Sequence, residues 1–240
     1  MKKVLVTILL SVVCVFASAQ TMNNINVKGK ADGPFYQNNG NVKVYGVVLN
    51  GQKSGTWTET HPNSDMPHYI IQFKDDKKDG LYLEFEKQGI IVNRMEFKND
   101  LIDGVCCKYK NTNIMEYVSY KEGKKNGESK LFYERGMLME TSTYKDGRRD
   151  GVTIWYSNKD KEQGPMVAMY TYKDGRFDGP QETYYENGML KSRKTFSDNR
   201  QEGPSYEFYE DGSLKSEANF KNGEQKGKKK EYPQGKKFLK

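Results

Sequence analysis

The chain is short of the residues that build a thick core. Only 35% of it is hydrophobic, against a usual share of about 45–50% with glycine counted. Cysteine is scarce, with three in all, at Cys14, Cys106 and Cys107. Neighbouring strand residues point to opposite faces, so Cys106 and Cys107 are not expected to bridge each other, which excludes an internal disulfide framework. His61 and His68 are the only histidines. No stretch has helical periodicity, and the glycines recur too often for long helices. Neither Gly-x-Ser-x-Gly nor a Cys–His nucleophile arrangement occurs. The acids are spread along the chain, and no pair stands in two environments that would push its pKa values apart. The chain therefore reads as non-enzymatic. A hydrolase whose acids converge only in the fold is the alternative.

The single long apolar run is at the start. Lys2 and Lys3 precede Val4 to Phe16, and Ala17-Ser-Ala19 follows with the small-x-small pattern of a signal-peptidase site. The run is shorter than the ~20 residues of a membrane span. The expected organisation is a signal peptide over 1–19, a linker over 20–26 and an array over 27–240, with a periplasmic or secreted product. Formal charge is +7 for the whole chain. Residues 221–240 hold eight Lys and two Glu, so the excess sits in a basic tail on a nearly neutral array.

What is abundant is a repeated phrase. Tyr144-Lys-Asp-Gly-Arg-Arg-Asp-Gly151 has near copies ending at Gly127, Gly179 and Gly227. Taking the second glycine as a marker gives Gly33, Gly55, Gly80, Gly104, Gly127, Gly151, Gly179, Gly203 and Gly227, spaced by 22 to 28 residues. A period in that range signals a repeat array. Five residues after the marker stands an aromatic in seven units: Phe85, Tyr109, Phe132, Tyr156, Tyr184, Phe208 and Tyr232. Leu81, Leu83 and Phe85 alternate with polar residues, the pattern of a strand with one buried face. Glu-Asn-Gly188 and Glu-Asp-Gly212 are hairpin signals. The predicted fold is all-β: an elongated single-layer antiparallel meander of about nine 24-residue hairpin repeats. One face is expected to carry the aromatic and leucine rows, the other Lys, Glu, Ser and Thr.

The phrase resembles the MORN repeat family, in the bacterial variant of the YwqK-type antitoxins. The likeness runs from about Val27 to Tyr232 and rests on the aromatic-x-Asp/Asn-Gly turn, the glycine four residues on and the later Tyr/Phe-Glu-Asn/Asp-Gly hairpin. It implies a β-hairpin array that binds lipids, other proteins or itself. The antitoxin name implies neutralising a toxin by direct contact.

A single-layer sheet cannot cover all its rings, and a large exposed apolar patch marks an interaction site. Phe85, Tyr109, Phe132, Trp155, Tyr156, Tyr184 and Phe208 are the expected binding residues, for a protein partner. Lys228, Lys229, Lys230, Lys236 and Lys237 are candidates for contact with an anionic membrane surface, the alternative role being a peripheral envelope scaffold. The open edge strands invite self-association. Nucleic acid is not expected, because the charge is confined to the tail. Asp75, Asp76 and Asp79 lack the converging oxygens of a calcium site and are expected to bond their own turn backbone. His61, Asp65 and His68 share an insertion loop whose prolines indicate an extended course rather than a metal site. No cofactor is expected.

Overall fold

A computed structural model of the protein describes residues 20–158 and 162–235. These residues form one helical turn, Gln20–Asn23, and a single antiparallel sheet of twenty strands, from Gly33–Asn38 to Glu224–Glu231. The expected signal peptide lies outside the described residues. Strands pair with their neighbours in the chain, so the sheet is one continuous meander. Three of the strands are two-residue pieces, Leu101–Ile102, Arg148–Arg149 and Arg200–Gln201, each parted by one residue from the strand that follows. Contacts run between successive strands, as in an array whose units touch only their neighbours. Among the described residues no helix is long and apolar enough to cross a membrane.

Each hairpin closes on two kinds of turn. The inner turn has two central residues, both at positive φ, as at Asp146 (48°) and Gly147 (85°) or Asn222 (54°) and Gly223 (85°). This is the mirror-image turn whose twist matches that of the strands, and it explains the Asp-Gly and Asn-Gly pairs. The outer turn has one central residue more. In it Tyr133 N–H donates to Met137 O at 2.8 Å and Gly136 N–H donates to Tyr133 O at 2.8 Å, and the same pair of bonds recurs at Tyr185 and Tyr209.

The marker glycine is neither turn. It lies in the strand, where the ladder shifts register, as between Ile71 and Phe73 opposite the segment containing Gly80. Gly80 has φ +109°, and a Cβ there would sit 2.2 Å from Gln72 Oε1. The glycine is therefore the centre of a bulge that only glycine fits.

The bulge corrects the expected orientation of the strands. Alternation is present, but the most buried residue is two beyond the marker, not one, three or five. Trp57 (0% exposed), Tyr82 (2%), Thr153 (1%) and Ser205 (8%) all occupy this place. Leu81, Leu83 and Phe85 lie on the other face, half-buried. The ring before each inner turn joins the buried face because it pairs across the ladder with the marker glycine, as Phe73 with Gly55 and Phe97 with Gly80. The two faces are consequently mixed rather than one apolar and one polar.

The apolar core is confined to the N-terminal half. Met22, Ile25, Val27, Val44, Val48, Trp57, Tyr69, Ile71, Phe73, Tyr82, Met95 and Cys106 form one buried cluster. Residues 20–26, expected as a linker, thus contribute Met22 and Ile25 to that core. Further along, the same row is filled by Ser129, Thr153, Gln181 and Ser205. Cys106 and Cys107 are both buried and unbridged, and consecutive positions in one strand place them on opposite faces. Burial pushes the Cys107 thiol up.

Candidate binding face

The face that carries the buried row also carries a ladder of cations and rings. Two residues before the marker glycine stand Lys53, Lys78, Lys125 and Arg149 in four repeats. Lys53 Nζ lies 5.8 Å from the Trp57 ring and 5.5 Å from Phe73. Lys78 Nζ lies 5.8 Å from Tyr82 and 5.3 Å from Phe97. Arg149 is within 5.8 Å of Tyr144, Trp155 and Tyr172. Such contacts stabilise a desolvated cation by up to about 2 kcal/mol. The ring that each lysine meets on the next strand is the one paired with the marker glycine two residues on, as Phe73 opposite Gly55 for Lys53 and Phe97 opposite Gly80 for Lys78.

At the N-terminal end this face already holds a piece of polypeptide. The helical turn Gln20–Asn23 leaves backbone groups without partners inside the turn. Met22 N–H donates to Glu59 Oε2 at 2.8 Å, and Lys53 Nζ donates to Met22 O at 2.8 Å. Met22 is 0% exposed, and Lys53 and Glu59 are each 5% exposed. Burial pushes Lys53 below its usual value, with Asp76 partly opposing. Burial pushes Glu59 up, with the Met22 N–H partly opposing.

Repeats are also tied to each other at their turns. Tyr133, Tyr185 and Tyr209 donate their hydroxyls to the carbonyls of Tyr156, Phe208 and Tyr232 at 2.8 to 3.0 Å. His61 Nε2 takes the same place against Phe85 O at 2.9 Å. At the inner turns Asp76 Oδ1 accepts from Lys53 N–H at 2.7 Å and Asp79 Oδ2 from Asn99 N–H at 3.3 Å. This corrects the expectation that these aspartates bond their own turn. They join one repeat to the next, because the mirror-image turn already closes its own hydrogen bond and presents its neighbour's N–H to the carboxylate. Asp65 pairs with Lys43, and the His61 and His68 rings stack at 4.2 Å.

The residues expected to bind do not form one surface. Phe85, Tyr109, Phe132, Tyr156, Tyr184 and Phe208 are half-buried on the face opposite the cation ladder. Trp155 is on the ladder face, with its ring 5.0 Å from Tyr170. Adjacent positions in a strand cannot share a face, so Trp155 and Tyr156 cannot serve one ligand together. Lys228, Lys229 and Lys230 are exposed on the last strand. Lys229 reaches Glu207 at 3.3 Å, and Lys230 reaches Glu217 at 2.8 Å, so two of the three meet carboxylates of preceding strands. Lys236 and Lys237 lie outside the described residues.

Sequence reasoning missed Lys53, Glu59 and Met22. The signal for them was a lysine two before the marker and a glutamate four after it, repeated at Lys78 and Glu84. It also missed Tyr36, Tyr45, Val47 and Leu49, which are 41 to 62% exposed at the N-terminal edge of the sheet. Tyr45, Val47 and Leu49 alternate with the buried Val44 and Val48, so that strand is apolar on both faces.

The geometry defines an open β-hairpin repeat array. A family model described as the MORN repeat variant matches residues 125–146, 177–198 and 201–222, and the chain is similar to that family there. Each matched stretch starts two residues before a marker glycine and ends at the first residue of the next inner turn, which is one hairpin of the meander. No curated protein matches the chain.

Proposed function

We propose that the chain is an exported, non-enzymatic binding module that receives a protein partner on the face bearing the cation ladder. The observation that supports this most is the N-terminal segment. Its Met22 backbone is held at both N–H and C=O by buried side chains of the sheet, and its apolar side chains enter the core. A surface that holds its own polypeptide in this way has the groups needed to hold another. The antitoxin-like role, neutralisation of a partner by direct contact, is the finer form of this reading, with resemblance as its support. Lipid contact through the tail is the weaker reading, because Lys229 and Lys230 are engaged with Glu207 and Glu217.

The test is photo-crosslinking in intact cells, with a crosslinking residue placed either at Trp155, on the ladder face, or at Val152, on the opposite face. One protein trapped in stoichiometric yield from position 155 and not from 152 is the expected result. Recovery of lipid or of the chain itself from both positions would overturn the reading.

A further inference from the structure

The two edges of the sheet are unlike. The last strand, Glu224–Glu231, carries four lysines and two glutamates and is exposed throughout. The first, Gly33–Asn38, carries no charge. Charged side chains commonly guard a sheet edge against pairing, and here only Pro34 does so. The free side of the first strand follows from its ladder. Asn39 N–H donates to Val42 O at 2.9 Å, which turns Asn39 toward the strand Lys43–Leu49. Alternation then turns Gln37 and Phe35 inward and Pro34, Tyr36 and Asn38 outward. Tyr36 and Asn38 present both N–H and C=O to the open side, and Pro34 its C=O alone. Among the described residues no backbone hydrogen bond reaches these groups from the segment that precedes the strand.

The face beside this edge is apolar and bare. Tyr36 (62% exposed), Tyr45 (41%), Val47 (43%) and Leu49 (49%) are four of the nine exposed large hydrophobics among the described residues. Tyr36 pairs with Tyr45 and Pro34 with Val47 across the ladder, so these side chains share the face opposite Val44 and Val48. The N-terminal segment packs with Val44 and Val48 on the other face. At about 150–250 Å² for a whole tyrosine, the four side chains expose on the order of 300–400 Å². That is short of the ~800 Å² per partner of a standard interface. Contact through these side chains alone would not hold a partner, and pairing of the strand edge has to supply the rest.

We infer that the first strand is a dimerisation edge, which takes a second copy of itself in antiparallel pairing centred on Tyr36. About this centre the two Tyr36 residues exchange N–H and C=O bonds, and each Asn38 N–H donates to the Pro34 C=O of the other copy. The missing proline N–H then leaves only Asn38 C=O to water. A centre nearer Pro34 loses bonds to that missing N–H, and one nearer Asn38 parts the Tyr36 rings. In the chosen register Tyr45 and Tyr36 of one copy and Tyr36 and Tyr45 of the other form one row on one face, and such cross-strand aromatic pairs stabilise a sheet. The strand is neutral, so two copies meet without like charges opposed. Two last strands would set Lys226, Lys228, Lys229 and Lys230 against one another. The two-fold axis stands perpendicular to the sheet, so both cation ladders look the same way and stay free. The dimer therefore stands or falls apart from the binding-module reading.

The experiment is sedimentation of the chain as processed by its own cells, from micromolar to about millimolar concentration. A monomer–dimer equilibrium with no larger species is expected, because a two-fold contact closes on itself. Tyr36→Lys should weaken the dimer about tenfold or more, and Lys228→Ala, on the other edge, should leave it unchanged. Tyr36 is exposed, so the lysine variant should keep its β-sheet circular dichroism. Disulfide trapping tests the register. Tyr36→Cys should link two chains on mild oxidation, because the centre brings the two Cα atoms to about 5.5 Å, within the roughly 4.4–6.8 Å that a disulfide spans. Tyr45→Cys, about 14 Å from its counterpart across three strand spacings, should stay unlinked. Cys106 and Cys107 are buried and do not compete. A monomer at every concentration, a dimer indifferent to Tyr36→Lys, or equal linking from positions 36 and 45 would overturn the inference. So would species that keep growing with concentration, which would assign the edge to head-to-tail pairing. A foreign protein trapped in cells by a photo-crosslinker at position 36, with no second copy, would give the edge to that protein and overturn the dimer, leaving the ladder face untouched.

Discussion

At Gly46 a Cβ would lie 2.3 Å from the Trp57 ring, and that ring is fully buried with its Nε1–H donated to Val47 O at 3.1 Å. The indole cannot retreat without losing this bond and its place against Phe35 and Phe73. Gly46→Ala should destabilise the protein by about 1–3 kcal/mol, the usual cost of overpacking, as read by denaturant melts. The opposite effect is expected at Glu122, which holds φ 48° in an inner turn where other repeats place Asp or Asn. Glu122→Asn should raise stability by up to about 1 kcal/mol, because asparagine tolerates the left-handed region. An unchanged or lower melting midpoint would contradict that account of the turn.

Individual hairpins carry their own pH dependence. His68 is stacked on His61 and Tyr69 at 4.2 and 3.8 Å, and burial, with a smaller contribution from His61, pulls it down to about 4. Its folded value is below its ordinary 6.5, so protonation favours the unfolded chain. The stability it confers is complete above about pH 6.5 and declines as pH falls toward 4. His68→Gln should flatten that part of the melting curve. Glu59 has the other sign: burial raises its pKa, so the folded state binds the proton more readily, and the contribution is largest below the ordinary carboxyl range and fades as pH rises through the raised value. Glu59→Gln should therefore hold stability at pH 7 while removing this acid-side gain, and Glu59→Ala, which leaves Met22 N–H unpaired, should lower stability at every pH.

Hairpins were legible in the sequence because turn chemistry is local: Asp-Gly and Asn-Gly pairs require the φ values seen at Asp146 and Gly147. The phase of the strands was not legible. It depends on the bulge at the marker glycine, and both Leu81–Leu83 and Tyr82 offer apolar candidates for the core. Lys53 and Glu59 were hidden because a lysine and a glutamate look like surface until the segment at Met22 is laid over them.

Across the whole molecule the apolar cluster ends at Cys106, while the row continues through Ser129, Thr153, Gln181 and Ser205. A repeat array without a common core loses stability locally where burial is thin. Amide exchange should accordingly be slowest between residues 44 and 118 and faster between 129 and 220, by about ten- to a hundredfold for a local difference of ~1.4–2.8 kcal/mol. The last strand, Glu224–Glu231, is exposed throughout. Its lysines oppose pairing with another sheet edge, so growth of filaments at this end is not expected.

The claim on which the functional account depends is that the ladder face holds polypeptide, beginning with the chain's own residues 22–27. Trp57 is buried in the cluster to which that segment contributes Met22, Ile25 and Val27, and Trp155→Phe leaves it the sole tryptophan. Acrylamide quenching of that variant, repeated with Met22→Asp added, measures the cover directly. The account predicts a shielded, blue-shifted Trp57 that becomes quenchable when Met22 is replaced, with the β-sheet circular dichroism retained. A Trp57 that is freely quenched from the start, or that stays shielded after the replacement, would contradict it.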